Sequence, residues 1–420
     1  MEKLSGNRMR ICFFLAEFPM ISETFILRQI TWLIENDHKV EIYSTGPPKN
    51  QPTHESIEKY NLLEKTVYRK PIPKNIFFRL FTSLLVFIDT LKSAPKMAIN
   101  SLNFLKYGRE AWSLKLLFDT NTIIKKTGRH FDVIHCHFGN HGLRAIALRE
   151  VGALTGSVLT TFHGYDVNKL PLEKGPDVYK ALFASGDFYT ANTEFTKSQV
   201  VKLGCSEEKI EILPVGLDMD RYQYRIRTPG DNEKILILSV ARLVEKKGIE
   251  YAIRALDHIR HTHQNVEYLV VGDGPLRSSL EKIVDELVLN DFVRFLGWKS
   301  QDEVKDLFYR SHIFVLPSVT ASNGDREGQA LVLQEAQATG MPIVSTYHNG
   351  IPDGVLEGRS GFLVPEQDVE ALYEKLDYLL SNPKKWAEMG KCGRDFVENK
   401  YDIGRLNEKL VGIYLKTMSQ

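Results

Sequence analysis

Two glutamates, Glu327 and Glu335, bracket a small and mostly apolar run in EGQALVLQE. The run follows IFVLPS, a short apolar stretch, and a polar loop, VTASNGDR. This pattern predicts a strand ending at Pro317 and a helix beginning near Gly328, with Glu327 at its mouth. In a helix, eight residues make two turns plus about 80° and rise ~12 Å. Two carboxylates so placed could hold opposite ends of one elongated ligand, and the amide-rich helix start would favour a phosphate between them. The same spacing arises where one glutamate caps a helix dipole and the other faces water. The pair therefore carries chemistry only together with its surroundings.

Those surroundings repeat the theme. LSVARLVEKKG places Arg242 and Lys247 after an apolar strand and before a helix. Two cations there suit a diphosphate, arginine as a planar fork and lysine as a point charge. After PIVST comes YHNGIPDGV, where Asn349, Gly350 and Ile351 can bring backbone N–H groups close to phosphate, because glycine permits tight approach. Taken singly, these are surface cations and a plain turn. Three such loops after three strands are harder to explain that way, since ligands of open parallel sheets bind at the strands' carboxyl ends.

The elements that must position these loops alternate between strand and helix. RICFFL, KVEIYS, DVIHCHF, SVLTTFH, FYTAN and EILPV read as strands with helical patterns between them. The alternation restarts beyond residue 230 with KILILSVA, VEYLVVG, VRFLG, IFVLP and PIVST. Short continuous apolar strands alternating with helices imply parallel sheets covered on both faces. The fold class is α/β: two doubly wound, Rossmann-like domains facing a cleft. The expected N-terminal domain spans 8–225 and the C-terminal domain 230–395. The boundary lies in the polar RYQYRIRTPGDNEK, residues 221–234. A closing helical segment, 396–420, is expected to pack back toward the N-terminal domain.

Composition narrows the function. The chain has 420 residues, 43% hydrophobic and 25% charged, with a net charge of +1. Nucleic-acid binding through overall charge is not indicated. The cysteines, Cys12, Cys136, Cys205 and Cys392, form no CxxC pair, so neither a zinc finger nor a disulfide framework is expected. The apolar stretch after the basic start is about one strand long and meets Glu17 and Pro19, so it reads as a strand rather than a signal peptide. VGDGPLR has Gly272 and Gly274, but Arg277 replaces the third glycine of a dinucleotide fingerprint. Asp218-Met219-Asp220 mimics a metal-binding DxD, yet it trails EILPV and reads as the crossing between domains. Five of the twelve histidines, at 130, 135, 137, 141 and 163, fall within 34 residues. They are read as a sugar or acceptor-phosphate surface rather than a metal site.

Charge is unevenly spread. Residues 69–115 hold nine Lys/Arg against Asp89 and Glu110, a balance of +7, leaving −6 for the rest. The same segment contains IFFRLFTSLLVFI, Phe104, Tyr107 and Trp112. Basic, aromatic and apolar residues together fit peripheral contact with an anionic membrane surface. The plainer reading is a set of amphipathic helices with Lys and Arg facing water.

Taken together, FPMISETFILRQI, DVIHCHFG, TTFHGYD, ARLVEKKG, VGDGPLR, EGQALVLQEAQATGMPIV and SGFLVPEQD resemble the retaining, GT-B-fold glycosyltransferases marked by E-x7-E. Within that group the chain is similar to bacterial exopolysaccharide and colanic-acid-type transferases, over nearly its whole length. The resemblance implies that Glu327 and His163 are catalytic, lying against the transferred sugar. It implies that Arg242, Lys247, Gly328, Asn349, Gly350 and Ile351 hold the donor diphosphate and that Glu335 holds the ribose. Ser22, Glu23, Thr24, His137 and Asp166 are the candidate acceptor or sugar contacts. The implied donor is a UDP- or GDP-linked sugar, with no metal and no further cofactor. The implied acceptor is a glycan or a polyprenyl-diphosphate-linked chain, reached from the cytoplasm at the inner face of the cell membrane. Ala241 and Asp353 stand where the family more often has Gly and Glu. Two other readings of this scaffold are a non-catalytic nucleotide-sugar or glycan-binding protein and a sugar-nucleotide epimerase.

Overall fold

The computed structural model describes residues 8–20, 24–47, 55–230 and 233–419. Thirteen strands are found among them. Those of the first sheet are β1 (Arg10–Glu17), β2 (Lys39–Gly46), β3 (Thr66–Tyr68), β4 (His130–His137), β5 (Thr155–Phe162), β6 (Phe188–Ala191) and β7 (Ile210–Ile212). The second sheet holds β8 (Ile235–Val240), β9 (Val266–Val271), β10 (Val293–Gly297), β11 (Ile313–Leu316), β12 (Ile343–Thr346) and β13 (Gly361–Val364). The orders are β3-β2-β1-β4-β5-β6-β7 and β10-β9-β8-β11-β12-β13, and neighbouring strands run parallel.

The apolar runs form central strands because both faces are covered. Every residue of β9, β11 and β12 is buried. Burying each Val, Leu or Ile side chain contributes about 1.5–3 kcal/mol. In each sheet the winding direction reverses once, between β1 and β4 and between β8 and β11. Loops diverge at such switch points and leave a crevice at the carboxyl ends of the strands. The loops after β1, β4 and β5 therefore share one rim, and those after β8, β11 and β12 share the other.

The chain between β7 and β8 is not a free tether. Arg227 is buried there, and its guanidinium donates to the carbonyls of Tyr309, Phe308 and Thr339 at 2.9, 2.8 and 3.0 Å. The return crossing comes at Asp402. Leu217 N–H donates to Tyr401 O at 2.7 Å, and Ile403 N–H donates back to Leu217 O at 3.0 Å. Asp218 and Asp220 lie beside this crossing, flanking Met219 in a short 3₁₀ turn. Residues 396–401 still belong to the Lys384–Tyr401 helix. The Ile403–Met418 helix then buries Leu406, Leu410, Ile413 and Tyr414 in a core shared with Ile11, Phe13 and Val133 of the N-terminal sheet.

One expected element starts later than the pattern implies. The helix after β11 is Leu331–Ala338, not a helix from Gly328. Ala330 is left-handed at φ 54°, which breaks the turn before it can begin. Gln329 is pinned instead to the other domain. Its Nε2 donates to Val215 O at 2.9 Å, and its Oε1 accepts from Val215 N–H at 2.7 Å. Glu327 therefore lies outside the helix, and helical rise alone does not set its distance from Glu335.

Candidate active site at the domain cleft

On the C-terminal rim, the loop after β8 runs back toward the loop after β11. Gly248 makes this approach possible. It has φ +62°, and a Cβ there would lie 1.8 Å from Pro317 O. Lys247 reaches across to form an ion pair with Glu327, and Lys246 pairs with Asp325 at 3.2 Å. Burial pushes the Glu327 carboxyl up, but the Lys247 charge and hydrogen bond, helped by Lys246 and Gly328 N–H, outweigh it. The carboxyl is held below its ordinary value and stays ionised. Arg242 is exposed at the same rim and has no side-chain partner among the described residues.

The loop after β12 holds Glu327 from its other side. Glu327 N–H donates to His348 Nε2 at 3.0 Å, and Asn349 Nδ2 donates to Glu327 O at 3.0 Å. His348 Nδ1 in turn meets Glu366 Oε1 at 2.6 Å. The backbone reading of Asn349, Gly350 and Ile351 needs a change of emphasis. Ile351 is fully buried and its N–H bonds to His348 O at 2.9 Å. Gly350 is packed tightly, since a Cβ would lie 2.4 Å from Thr193 Cγ2 and 2.8 Å from Gly328 O. Gly328 N–H donates to Glu327 Oε1 at 3.2 Å. Ile351 and Gly328 thus spend their N–H groups within the carboxylate loop.

Across the cleft, His163 follows directly on β5. A Cβ on Gly164 would meet Gly328 Cα at 3.4 Å, so the HGYD loop lies against the EGQ loop with backbone nearly touching backbone. Asp166 fixes the HGYD loop. It is fully buried, and its carboxylate accepts from His163 N–H at 2.8 Å and Gly139 N–H at 2.9 Å. Burial raises its pKa to about 7, against these hydrogen bonds. Asp166 thus stands behind the loop rather than at a sugar. His137 is also buried behind His163: its Nδ1 lies 3.2 Å from His163 Nε2 and its Nε2 3.1 Å from Gln29 Oε1. His135 continues the stack, hydrogen-bonded to Tyr414 and Thr161, each at 2.8 Å. Burial drives these imidazoles neutral, His163 to about 4 and His135 to about 3.

Glu335 faces a cavity of about 260 Å³ between the domains, lined also by Thr24, Arg28, Tyr222, Val240 and Lys299. Tyr222 OH donates to Glu335 Oε1 at 2.9 Å. Burial raises the Glu335 carboxyl, while the Tyr222 bond and the charges of Arg28 and Arg221 oppose the rise. Thr24 therefore lines this cavity with Glu335. Ser22 and Glu23 lie outside the described residues. Asp353 also spans the cleft, accepting from Glu194 N–H at 2.6 Å.

Sequence reasoning missed Tyr222, Gln29, Gln329 and the His348–Glu366 pair. Tyr222 lay in a stretch read only as a boundary. The others become visible only when distant segments meet. The assembled cleft has fixed cations and a charged carboxylate on one side and a neutral imidazole on the other, with a polar cavity alongside. It can hold an anionic, elongated ligand at the first rim and present its far end to the second.

The family model Glycosyltransferase Family 4 matches residues 22–221, and the model Glycosyl transferases group 1 matches 220–396. The chain is 36% identical, over 96% of its length and 95% of the relative's, to a Salmonella typhimurium protein named as a colanic acid biosynthesis glycosyltransferase, WcaL. It is 34% identical to the amylovoran biosynthesis glycosyltransferase AmsK of Erwinia amylovora, covering 87% of this chain and 89% of that one. Among solved structures, the Anabaena protein HepE in complex with UDP superimposes with a TM-score of 0.67 at 16% identity, over 96% of this chain and 99% of that one. A Rickettsia africae glycosyltransferase gives 0.69 at 16% identity, covering 98% and 99%.

Proposed function

The chain belongs to the GT-B glycosyltransferases that join a family 4 domain to a group 1 domain, and we propose that it moves a hexose from a nucleoside diphosphate sugar to a lipid-linked surface polysaccharide, with retention of configuration. The carrying observation is the meeting of the Lys247–Glu327 loops with the His163–Gly164 loop across the cleft. The Glu335 cavity beside it supports a ribose site, where the carboxylate accepts from sugar hydroxyls. Its neighbours Arg28 and Lys299 come from opposite domains, so donor binding would draw the two rims together. The names of the relatives, tied to colanic acid and amylovoran biosynthesis, support an exopolysaccharide as the product. The proposed site of action is the inner face of the cell membrane, where such carriers lie.

The leaving group is a diphosphate, and the main task is to stabilise charge as it departs. Arg242, Lys246 and Lys247 are placed for that work, and in this reading they stand in for a metal ion. The sugar passes through an oxocarbenium-like state while the acceptor hydroxyl attacks from the face the phosphate leaves. The departing phosphate oxygen takes the hydroxyl proton. Glu327, held ionised, stabilises the positive sugar, and neutral His163 is a hydrogen-bonding partner for its hydroxyls. Cleft closure would keep water from the donor.

A thermal-shift screen of UDP-, GDP- and ADP-sugars in EDTA tests this directly. A bound donor at a hundred times its Kd stabilises by about 2.7 kcal/mol. One nucleotide class should raise the melting temperature and support transfer to a lipid-linked acceptor. No shift with any of them would remove the donor reading. A shift without turnover would make the chain a binding protein. A shift or turnover that appears only on adding Mn²⁺ or Mg²⁺ would end the metal-free reading and turn attention to Asp218 and Asp220.

A further inference from the structure

The Ile76–Ser93 helix is built inside out. Its buried residues are Ser83, Val86 and Thr90, spaced as one helix face requires. This face rests on the Lys115–Lys126 helix. Val86 packs there with Leu117 and Phe118, while Asn121 Nδ2 donates to Thr90 Oγ1 at 3.0 Å and to Asp89 Oδ2 at 2.9 Å. The large apolar side chains point the other way. Phe77 is 79% exposed, Phe78 68% and Phe81 62%, and Leu80, Leu84 and Leu85 are exposed with them. Phe104, Leu105 and Trp112 add to the exposed apolar surface of the same segment. Single exposed hydrophobic residues are ordinary, but a contiguous patch of this kind marks a docking surface.

Charge around the patch selects the occupant. Lys70, Lys74, Lys92 and Lys96 are exposed around the patch. Asp89, the helix's one acid, is taken by Lys125. A second copy on this face would set two segments of +7 against each other. An anionic lipid surface meets both the charge and the apolar face. The helix has 18 residues and is interrupted by Arg79, Asp89 and Lys92, whereas crossing a bilayer takes ~20 apolar residues. Among the described residues no helix is long and apolar enough to cross.

We propose that the outward face of Ile76–Ser93 inserts into the headgroup–acyl boundary of an anionic bilayer and lies in its plane, with the lysines at the phosphate level. Contact is therefore led by apolar insertion and not by charge alone, as the +7 balance by itself would have it. The segment leaves the sheet at the carboxyl end of β3, the same end at which His137 and His163 close β4 and β5. Docking there presents the acceptor rim of the cleft to the lipid, a consequence that rests on the transferase reading.

Co-sedimentation of the full chain with phosphatidylglycerol/phosphatidylcholine vesicles, and with phosphatidylcholine vesicles alone, tests the surface. We expect at least ~10-fold stronger binding to the anionic vesicles at low salt, falling as salt rises. The variant F77S/F78S/F81S/L84S should lose binding to both compositions. The variant K74E/K92E/K96E should lose only the anionic preference. Unchanged sedimentation of the serine variant would overturn the proposal, as would a wild-type dimer in vesicle-free solution that the serine variant makes monomeric without any vesicle binding. Donor-induced thermal shift, measured on the same proteins, keeps the readings separate. A donor shift without vesicle binding removes the surface alone. Vesicle binding without a donor shift removes the transferase reading alone.

Discussion

The imidazoles of His137 and His163 meet at 3.2 Å, Nδ1 to Nε2, with ring centroids 5.5 Å apart and planes 22° from parallel. Gln29 Oε1 accepts from His137 Nε2, which leaves His137 Nδ1 to accept from His163 Nε2–H. The bond needs a neutral His137, whose Nδ1 is the acceptor, and burial ensures that.

Neutrality at the stack has a cost in acid. An exposed imidazole in the unfolded chain titrates near 6.5. In the fold, burial lowers His163 and His141 to about 4 and His135 to about 3, with His137 well below the usual range. Between about pH 6.5 and 4 the unfolded chain thus binds more protons than the folded one, so stability falls as pH falls. Asp166 works the other way, because burial raises it to about 7 and it binds a proton on folding. Four histidines outweigh it. The first melting transition should drop by several degrees from pH 7 to 5, and His141→Phe should shallow that slope. A melting temperature that is flat or rises toward pH 5 would contradict the account.

Lys247 and Glu327 should behave as a coupled unit. Both side chains are largely buried, so removing one strands the other; breaking such a pair typically costs about 3–5 kcal/mol. Lys247→Ala should therefore destabilise more than the double variant Lys247→Ala/Glu327→Gln. Both should lose turnover by ~10²–10³-fold, since neither keeps the cation facing the leaving group. Arg242→Ala should lose comparable activity with little change in melting, because no other side chain leans on it among the described residues. Chemical denaturation and single-turnover rates on the wild type, these three variants and the single Glu327→Gln variant separate these terms. Additive stability losses would show that the pair is not coupled.

Much of this was legible in the sequence. Apolar runs such as VEYLVV declare central parallel strands, and the loops after them then must line a cleft. The meeting of the loops that carry Lys247 and Glu327 followed from that logic. What sequence did not carry was the local break at Ala330, because a left-handed alanine is imposed by tertiary contacts around Gln329 and has no pattern of its own. Nor did it carry the orientation of Ile76–Ser93. Its composition is apolar nearly all round, so periodicity could not say which face turns inward. A polar seam at Ser83 and Thr90 decided it. Asp166 is a related case: HGYD reads as a run of polar contacts, whereas in the fold that carboxylate accepts from the backbone N–H groups of His163 and Gly139.

The division of labour between the two glutamates gives the last prediction. Glu327 is fixed by Lys247, His348 and Asn349 beside the HGYD loop, where the proposed transfer would occur. Glu335 lies in the cavity with Tyr222, away from those loops. Because a left-handed Ala330 separates Glu327 from the helix that carries Glu335, the two can act on different parts of one donor. Glu335→Ala should then raise KM for the donor about tenfold, roughly 1.4 kcal/mol, with kcat little changed. Tyr222→Phe should do the same more weakly, since it removes one hydrogen bond to the carboxylate and lets burial raise its pKa further. Glu327→Ala should lower kcat by ~10²-fold or more while donor KM stays within a few-fold. Steady-state kinetics over a range of donor concentration, with melting checked for each variant, distinguishes the roles. If Glu335→Ala and Glu327→Ala alter KM alike and leave kcat intact, both carboxylates serve binding and the assignment of Glu327 to the reacting sugar is wrong.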